Sequence, residues 1–141
     1  MPTSKEPGAA SSPPLPGPRG HRDYAFFYRG LEERRLLVQR CDACGTVRTP
    51  PSPMCPHCQS LQWTALECTG EGKVHSYTVH HHPPLPGFDS PHVLVLVDMT
   101  EGFRLLGTFK PSEGGTVAIG IPVQTHFVMR GDVPSFEFHL A

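Results

Sequence analysis

The sequence predicts a mainly β protein with a short N-terminal helix, a metal-binding knot of four cysteines and a five-stranded barrel. Two observations carry this prediction. Two CxxC pairs lie close together, Cys41 with Cys44 and Cys55 with Cys58. After them the chain consists of short β-favouring runs that glycine, proline, aspartate and serine separate. Their spacing is typical of a small antiparallel barrel.

Length and composition restrict the possible classes of protein. The 141 residues are enough for one domain with at most a small appendage. Hydrophobic residues make up 38%, so the core is small and a metal would add needed stability. A net charge of −1 does not favour binding to nucleic acid or to an anionic membrane. No long apolar run and no secretion signal is present, so we expect a cytoplasmic protein.

The N-terminal segment differs in composition from the rest of the chain. Residues 1–22 are rich in proline, serine, glycine and alanine, and Leu15 is their single large aliphatic residue. Such a segment buries too little apolar surface to offset its ordering entropy. We therefore expect a disordered tail or linker at 1–22, a helix and metal ribbon at 23–65 and a barrel at 66–141. A proline-rich recognition segment, or a tether from a longer polypeptide, is the alternative for the tail.

The stretch "DYAFFYRGLEERRLLVQR" predicts a short amphipathic helix followed by a strand that enters the metal site. Asp23 is a plausible N-cap, and Gly30 is a weak point in the helix. Phe27 and Tyr28 suit three roles: core, partner contact or wall of a ligand site.

The cysteine spacing is that of a zinc ribbon. Ten residues, 45–54, separate the two pairs and allow two tight turns to face each other. Gly45 eases the first turn, and Pro56 stiffens the second. Four thiolates saturate a tetrahedral Zn²⁺ and leave no position for water or substrate, so the ion is structural. Iron with the same ligands is the alternative. We expect His57 to be solvated or to contact the cysteine ligands without binding the metal itself. We expect Cys68 to be a buried, inert thiol.

The barrel prediction depends on six runs and their turns. "DMTEGFR" is typical of a hairpin turn at Gly102, and Gly70 and Gly72 permit a bulge or bend in a first long strand. The runs are "TALECTG", "GKVHSYTVHHH", "HVLVLVDM", "FRLLGTF", "VAIGIPVQTHFVM" and "SFEFHL".

Other polar clusters give weaker signals. On a strand, His80 and His82 would share a face, but two imidazoles without a nearby acid make a poor metal site. We therefore expect these histidines to mark a strand end that runs into the loop "PPLPGF". Asp98 and Glu101 flank a turn, where acids commonly serve local hydrogen bonding. No nucleophile motif occurs, so the sequence predicts no catalytic residue.

The motifs together resemble one family. "FFYRGLEERRLLVQRCDACGTVRTPPSPMCPHCQS", "GEGKVHSYTVHHHPPLPGF", "FRLLGTF" and "IGIPVQTHF" are similar to the zinc-ribbon/OB-fold proteins catalogued as domain of unknown function thirty-five. The resemblance covers residues 24–138. It implies an N-terminal helix, a rubredoxin-like zinc ribbon and a C-terminal five-stranded OB-fold barrel.

The resemblance also implies a role. Members of this family accompany thiolase-like enzymes or MaoC-type hydratases that act on acyl-CoA thioesters, including aldol cleavage of steroid side chains and acyl transfer. We therefore expect a non-catalytic accessory subunit that stabilises its partner and helps to form a substrate channel, in a two-plus-two hetero-tetramer by analogy.

We expect contacts to the partner or to CoA from the Pro-rich loop at 80–92 and from the basic, aromatic N-terminal third. The arginines of that third suit the phosphates of CoA, and a solvated surface is the alternative for them. A single-stranded nucleic-acid binder and a stand-alone enzyme using Asp98, Glu101 or the histidines are the alternatives. The expected contact residues are Phe27, Tyr28, Arg34, Arg48, Tyr77, His80, Leu85 and Phe88.

Overall fold

The structure is a computed structural model that describes residues 22–141. The tail predicted for residues 1–22 lies outside this range, apart from Arg22. The elements in the described range are α1 Ala25–Glu32, β1 Leu36–Cys41, β2 Val47–Arg48, β3 Trp63–Cys68, β4 Glu71–His80, β5 His92–Met99, β6 Arg104–Phe109, β7 Pro122–Arg130 and β8 Val133–Leu140.

Helix α1 begins without the cap that the sequence predicts. The prediction for Asp23 is wrong, because the N-cap residue is Tyr24, whose side chain makes no capping hydrogen bond. The buried ring of Phe26 lies 4.6 Å from the ring of Trp63 in β3. Most helical stability in proteins comes from packing an apolar face. Packing against the ribbon sheet therefore stabilises the start of this helix in place of a cap.

The helix also continues through Gly30, which is buried. A Cβ atom at Gly30 would lie 2.8 Å from the carbonyl oxygen of Arg35 and 2.9 Å from Cγ of Leu37. Only glycine permits this close approach of the helix to the segment that follows it. The helix stability that is lost by having glycine here is thus offset by tighter packing of α1 on β1.

The ribbon sheet has the strand order β2-β1-β3, and both pairs are antiparallel. Strand β1 pairs with β3 along its whole length, from Leu36 opposite Cys68 to Cys41 opposite Trp63. The run "TALECTG", predicted with the barrel strands, therefore lies in the ribbon sheet. Without β3, one edge of β1 would leave its backbone groups unpaired.

Strands β4 to β8 form a closed barrel in the order β4-β5-β6-β8-β7, and β7 pairs with β4 to close it. Strands β6 and β8 are parallel, whereas the other four pairs are antiparallel. This is the arrangement of an OB-fold, and it confirms the predicted fold class. Within residues 22–141, no helix is long and apolar enough to cross a bilayer.

The turns of the barrel match the sequence only in part. The predicted β5–β6 hairpin forms, with Gly102 at φ +87°. Gly70 has φ +83°, but the irregularity in β4 lies further along, where the register shifts between Val74 and Ser76. The extra residue of this bulge is His75. Gly72 serves a close approach instead, since its Cβ would lie 2.5 Å from a methyl group of Val97.

One apolar core joins the ribbon sheet to the barrel. Leu36, Val38 and Cys68 of the ribbon sheet belong to the same buried cluster as the inward residues of the barrel. Burying a side chain of this kind contributes about 1.5–3 kcal/mol. The division of the chain between residues 65 and 66 stays a prediction. The barrel members are Val74, Val95, Val97, Met99, Phe103, Leu105, Phe109, Val123 and Phe138.

Candidate functional site

The four predicted cysteine ligands meet at one point of the ribbon. Cys41 ends β1, Cys44 follows it in a turn, and Cys55 and Cys58 lie in the loop between β2 and β3. Their four Sγ atoms all lie within 4.8 Å of one another. They form the only cluster of three or more His, Cys, Asp or Glu side chains, within residues 22–141, that could hold a metal ion.

The sulfur spacing fits a metal ion and does not fit disulfides. The Sγ atoms of Cys41 and Cys58 are 3.6 Å apart, and those of Cys44 and Cys55 are also 3.6 Å apart. A disulfide requires about 2.05 Å. Four sulfurs at about 2.3 Å from one tetrahedral ion lie about 3.8 Å from each other. The cysteines are therefore positioned to bind one metal ion.

Each CxxC turn, or knuckle, has the same backbone geometry. The amide N–H of Gly45 donates to the carbonyl oxygen of Cys41 at 2.9 Å, and the N–H of Gln59 donates to that of Cys55 at 3.0 Å. The residue after the second cysteine has a positive φ in both, +76° at Gly45 and +61° at Gln59. Sequence reasoning identified the first of these positions and missed the second, because glutamine gives no signal for it.

Backbone and side-chain donors favour the thiolate form of two ligands. The N–H groups of Cys44 and Ala43 lower the pKa of Cys41 to about 6. Hydrogen bonding with Thr46 lowers the pKa of Cys44. At Cys58 the N–H of Ser60 acts in the same direction, but the neighbouring sulfur of Cys41 and burial raise its pKa to about 12. Crowded thiolates repel one another, so a cation at their centre is needed to ionise all four.

Arg48, a predicted contact residue, is buried inside the ribbon with 2% of its surface exposed. Its guanidinium donates to the carbonyl oxygens of Ser52 at 3.1 Å, Ser60 at 3.2 Å and Gln62 at 3.4 Å. These bonds hold the second knuckle against β2. Arg34 is exposed and has φ +57° directly after α1.

The predicted residues Phe27 and Tyr28 line a cavity of about 420 Å³ where α1, the ribbon and the barrel meet. The rings of Phe27 and Phe136 are in edge-to-face contact, with centroids 6.1 Å apart. Most of the lining is apolar. Besides Phe27 and Tyr28 it includes Tyr24, Leu37, Val38, Arg48, Thr49, Pro50, Pro51, Leu96, Arg104, Leu105, Leu106 and Phe136.

The loop between β4 and β5, residues 81–91, contacts one end of the barrel through Phe88. The ring of Phe88 stacks on the ring of His92 at 4.4 Å, and the guanidinium of Arg130 lies 4.5 Å from its centroid. Asp89 and Lys110 form an ion pair beside it. Leu85 in the same loop is 37% exposed. Sequence reasoning missed His92 and Arg130, because only the fold brings them to Phe88.

Two further histidine predictions can now be placed. Strand β4 ends at His80, whose Nε2–H donates to the carbonyl oxygen of Pro83 at 2.7 Å. His82 lies beyond the strand, in the loop, which confirms the interpretation of a strand end that runs into this loop. Buried His92 hydrogen-bonds to the hydroxyl of Thr108 through Nε2 at 3.0 Å.

The two candidate carboxylates, Asp98 and Glu101, both accept hydrogen bonds from other residues of the chain. The side chain of Asp98 accepts from Arg104 at 2.8 Å and from His75 at 2.9 Å, and the bond from Arg104 is the main reason that its pKa is lowered. Glu101 accepts from the backbone N–H of Thr69 at 2.6 Å. The bond from Arg104 supports the interpretation that Asp98 serves hydrogen bonding within its hairpin, whereas the partner of Glu101 lies 32 residues away in the sequence.

Three further side chains from the sequence analysis remain to be described. Tyr77 on β4 is 44% exposed. His57, in the second knuckle, is exposed. Cys68 is buried, and burial raises the pKa of its thiol to about 12, so it stays neutral.

Fold and site together define a class of protein: a four-cysteine ribbon followed by an OB-fold barrel. Residues 29–64 match the family model "ChsH2, rubredoxin-like zinc ribbon domain", and residues 66–128 match "ChsH2, C-terminal OB-fold domain". A "DUF35 domain-containing scaffold protein" of Methanocaldococcus jannaschii is 33% identical over 104 residues, which are 71% of this chain and 73% of that protein. The chain belongs to the DUF35 family.

Two longer bacterial relatives are also similar to it. A "Probable enoyl-CoA hydratase alpha subunit" of Thermomonospora curvata is 47% identical over 77% of this chain and 34% of its own length. The "3-oxo-4,17-pregnadiene-20-carboxyl-CoA hydratase alpha subunit" of Mycobacterium tuberculosis is 36% identical over 86% of this chain and 38% of its own. The chain thus spans about a third of the length of these two relatives.

Among solved structures, one named "Ltp2-ChsH2(DUF35) aldolase" superimposes with a TM-score of 0.79 and 41% identity. The match covers 87% of this chain and 98% of that one. Its extent means that the helix, ribbon and barrel are arranged alike in the two chains.

Proposed function

We propose that the chain is a non-catalytic accessory subunit or domain of an enzyme that acts on acyl-CoA thioesters. The observation that carries the proposal is the 41% identity over nearly the whole length of a DUF35 chain named with an aldolase. The hydratase-subunit names of two further relatives support the same substrate class. The partner is a thiolase-like aldolase or a MaoC-type hydratase, in a two-plus-two assembly in the cytoplasm.

The metal in this proposal is a structural zinc ion held by the four cysteines. Cysteine-only tetrahedral sites are typical of zinc, with iron as the alternative. A fourth thiolate completes the coordination shell, so the ion has no open position for substrate. Its role is to fix the ribbon, whose second half, residues 49–62, has no regular strand.

We place the contact with the partner on the loop at residues 81–91 and the neighbouring barrel surface. Phe88 is held between His92 and Arg130, so the loop is ordered before any partner arrives. A pre-ordered loop loses less entropy on binding. Tyr77 and Leu85 are the exposed apolar side chains of β4 and this loop.

The test is co-expression of the chain with a thiolase-like subunit and, separately, with a MaoC-type hydratase subunit of the same genome. We expect one of them to co-purify in a complex whose mass, from light scattering, corresponds to two copies of each chain. Acyl-CoA turnover should require the partner. Turnover by the purified chain alone, or no complex with either enzyme, would contradict the proposal.

A matched pair of variants tests the contact surface. Leu85→Asp places a charge in the proposed interface and should weaken the complex at least tenfold. Ile119→Asp is the control, because Ile119 is exposed at 69% and lies in the loop before β7. Equal loss of the complex in both variants would mean that the 81–91 loop has no special role.

A further inference from the structure

We propose that the proline-rich segment at residues 13–18, "PPLPGP", binds within its own chain to the groove between α1, the ribbon and the barrel. The groove is the cavity of about 420 Å³ that Phe27 and Tyr28 line. The segment precedes the residues that the structure describes, and Leu15 is the side chain that we place in the groove. The inference does not depend on the proposed function, because it concerns only residues of this chain.

The groove has the kind of surface that proline-rich peptides bind. Peptides with a PxxP motif, as in Pro13 to Pro16, dock in grooves lined by aromatic rings. Leu106 lies beside the aromatic rings of this groove and is 60% exposed, so apolar surface remains uncovered. Covering this surface is favourable in proportion to its area. The aromatic and proline residues of the lining are Tyr24, Phe27, Tyr28, Phe136, Pro50 and Pro51.

The groove also offers hydrogen-bond donors that have no acceptor within the described chain. The hydroxyl of Tyr28 and the terminal nitrogens of Arg104 make no hydrogen bond within residues 22–141. The side chain of Arg104 is 56% exposed, so a ligand can reach it. A proline-rich peptide has few N–H groups and carries carbonyl oxygens without internal partners. The segment therefore supplies acceptors where the groove supplies donors.

The composition of the segment identifies its anchor. Leu15 is the single large aliphatic residue among residues 1–22, and Pro14 and Pro16 flank it. Each proline fixes its φ angle near about −65°, so the segment loses little conformational entropy when it binds. Burial of a leucine side chain contributes about 1.5–3 kcal/mol. Leu15 is thus the position at which this segment gains most from entering an apolar groove.

The connection between the segment and the groove is short. The described residues begin at Arg22, and Tyr24, two residues later, lines the groove itself. Tyr24 follows Leu15 by nine residues, which reach at most about 30 Å when fully extended. The segment therefore starts at the groove and does not need to cross the molecule. A tether of this length holds a ligand at a roughly millimolar effective concentration, so weak contacts suffice for binding.

NMR spectroscopy of the purified, metal-loaded full chain tests the inference. We expect nuclear Overhauser contacts from the methyl groups of Leu15 to the ring protons of Phe27 or Tyr28, and upfield shifts of these methyl resonances. Leu15→Ala should shift the amide resonance of Leu106, whereas Lys5→Ala, earlier in the chain, should leave it unchanged. Methyl resonances of Leu15 at random-coil positions, with no amide change in Leu15→Ala, would overturn the inference.

A synthetic peptide of residues 11–20 gives a second readout. Titrated into the full chain that carries Leu15→Ala, it should return the groove amides to their wild-type positions. The same peptide with alanine in place of Leu15 should bind at least tenfold more weakly. Adding Leu106→Asp to the chain should also weaken binding at least tenfold, because it places a charge in the groove. Ile119→Asp, at an exposed site outside the groove, is the control, and equal affinity in these two variants would contradict the inference.

Dilution and addition of the partner enzyme distinguish the other possible occupants of the groove. A contact within one chain does not depend on concentration, so dilution by about tenfold should leave the methyl resonances of Leu15 unchanged. Loss of the contact on dilution would mean that the segment binds a second copy, and would overturn the inference. Groove amides that shift only when the partner enzyme is added, without any contact of Leu15, would identify a partner surface and overturn it as well.

Discussion

The ribbon and the barrel are stabilised by different interactions, although they share one core. The barrel encloses a continuous set of buried apolar side chains within closed strand pairing. The outer half of the ribbon, residues 49–62, has no regular strand and is held by four cysteines and two buried polar side chains. These are Arg48 and Gln39, whose Oε1 accepts from the N–H of Ser52 at 2.8 Å. A chain segment too small to form its own core can thus be ordered by a metal and a few buried hydrogen bonds.

Metal removal should give the largest difference in local stability between the ribbon and the barrel. Binding of zinc to sites of this kind contributes on the order of 10 kcal/mol, and the ribbon offers little apolar burial in its place. We expect chelation, or Cys55→Ser, to abolish amide protection in residues 41–62 while β5 and β6 keep theirs, measured by hydrogen exchange. Cys68→Ala is the control and should retain one metal ion per chain by elemental analysis. Simultaneous loss of protection in β5 would show that the barrel also depends on the ion.

The converse experiment removes apolar contacts from the barrel. Phe138 is fully buried, so Phe138→Ala should lower the free energy of unfolding by about 3–5 kcal/mol in denaturant titration. Met129→Ala, at a side chain that is 63% exposed, should change it by less than about 0.5 kcal/mol. A small effect of Phe138→Ala would mean that the ribbon, and not the core, limits stability.

The polar contribution to the ribbon is tested at Arg48. Arg48→Met should destabilise the protein by about 2–3 kcal/mol, because three backbone carbonyls lose their donor. Arg40→Gln, at an exposed arginine of the same region, is the matched control. Chemical denaturation gives both values. Similar stability of the two variants would mean that Arg48 contributes little to holding the second knuckle.

The two knuckles offer a smaller test within the ribbon itself. Gln59 has the positive φ that Gly45 adopts without strain. We expect Gln59→Gly to stabilise the ribbon by up to about 1 kcal/mol and Gly45→Ala to destabilise it by about 1–2 kcal/mol. Metal affinity, measured by competition with a chromophoric chelator, should change in the same directions. A loss of affinity in Gln59→Gly would contradict the shared geometry of the knuckles.

A pH series tests a buried group at the barrel end of the 81–91 loop. Burial, followed by the charge of Arg130, lowers the pKa of His92 below its ordinary 6.5. The unfolded chain therefore takes up a proton at this residue before the folded one does. The stability is fully present above about pH 6.5 and falls as the pH falls towards the folded pKa.

The matched variants for this series are His92→Gln and His57→Gln. The first should flatten the decline in unfolding free energy between pH 7 and 5.5, whereas the second removes an exposed histidine and should keep it. Any decline that remains in His92→Gln belongs to other groups, including the cysteine ligands. An unchanged slope in His92→Gln would contradict the role of its burial.

Local features of the sequence determined the metal centre and several turns. The spacing of Cys41, Cys44, Cys55 and Cys58 fixes four thiols within two tight turns, and no distant contact is needed to bring each pair together. Gly45 and Gly102 predict positive φ angles, because residues with a side chain adopt such angles only with backbone strain. The short β-favouring runs likewise predicted a small barrel, since strand propensity and turn residues act over a few positions.

Tertiary structure alone decided the remaining features. The pairing of β3 with the ribbon, the start of α1 without a cap, the burial of Arg48 and the contact of Phe88 with Arg130 join residues distant in sequence. The apolar cavity likewise needs α1, the ribbon and the barrel in one arrangement. Spacing and backbone angles are properties of neighbouring residues, whereas partners across the fold depend on which surfaces pack together, and that choice is made only when the whole chain has folded.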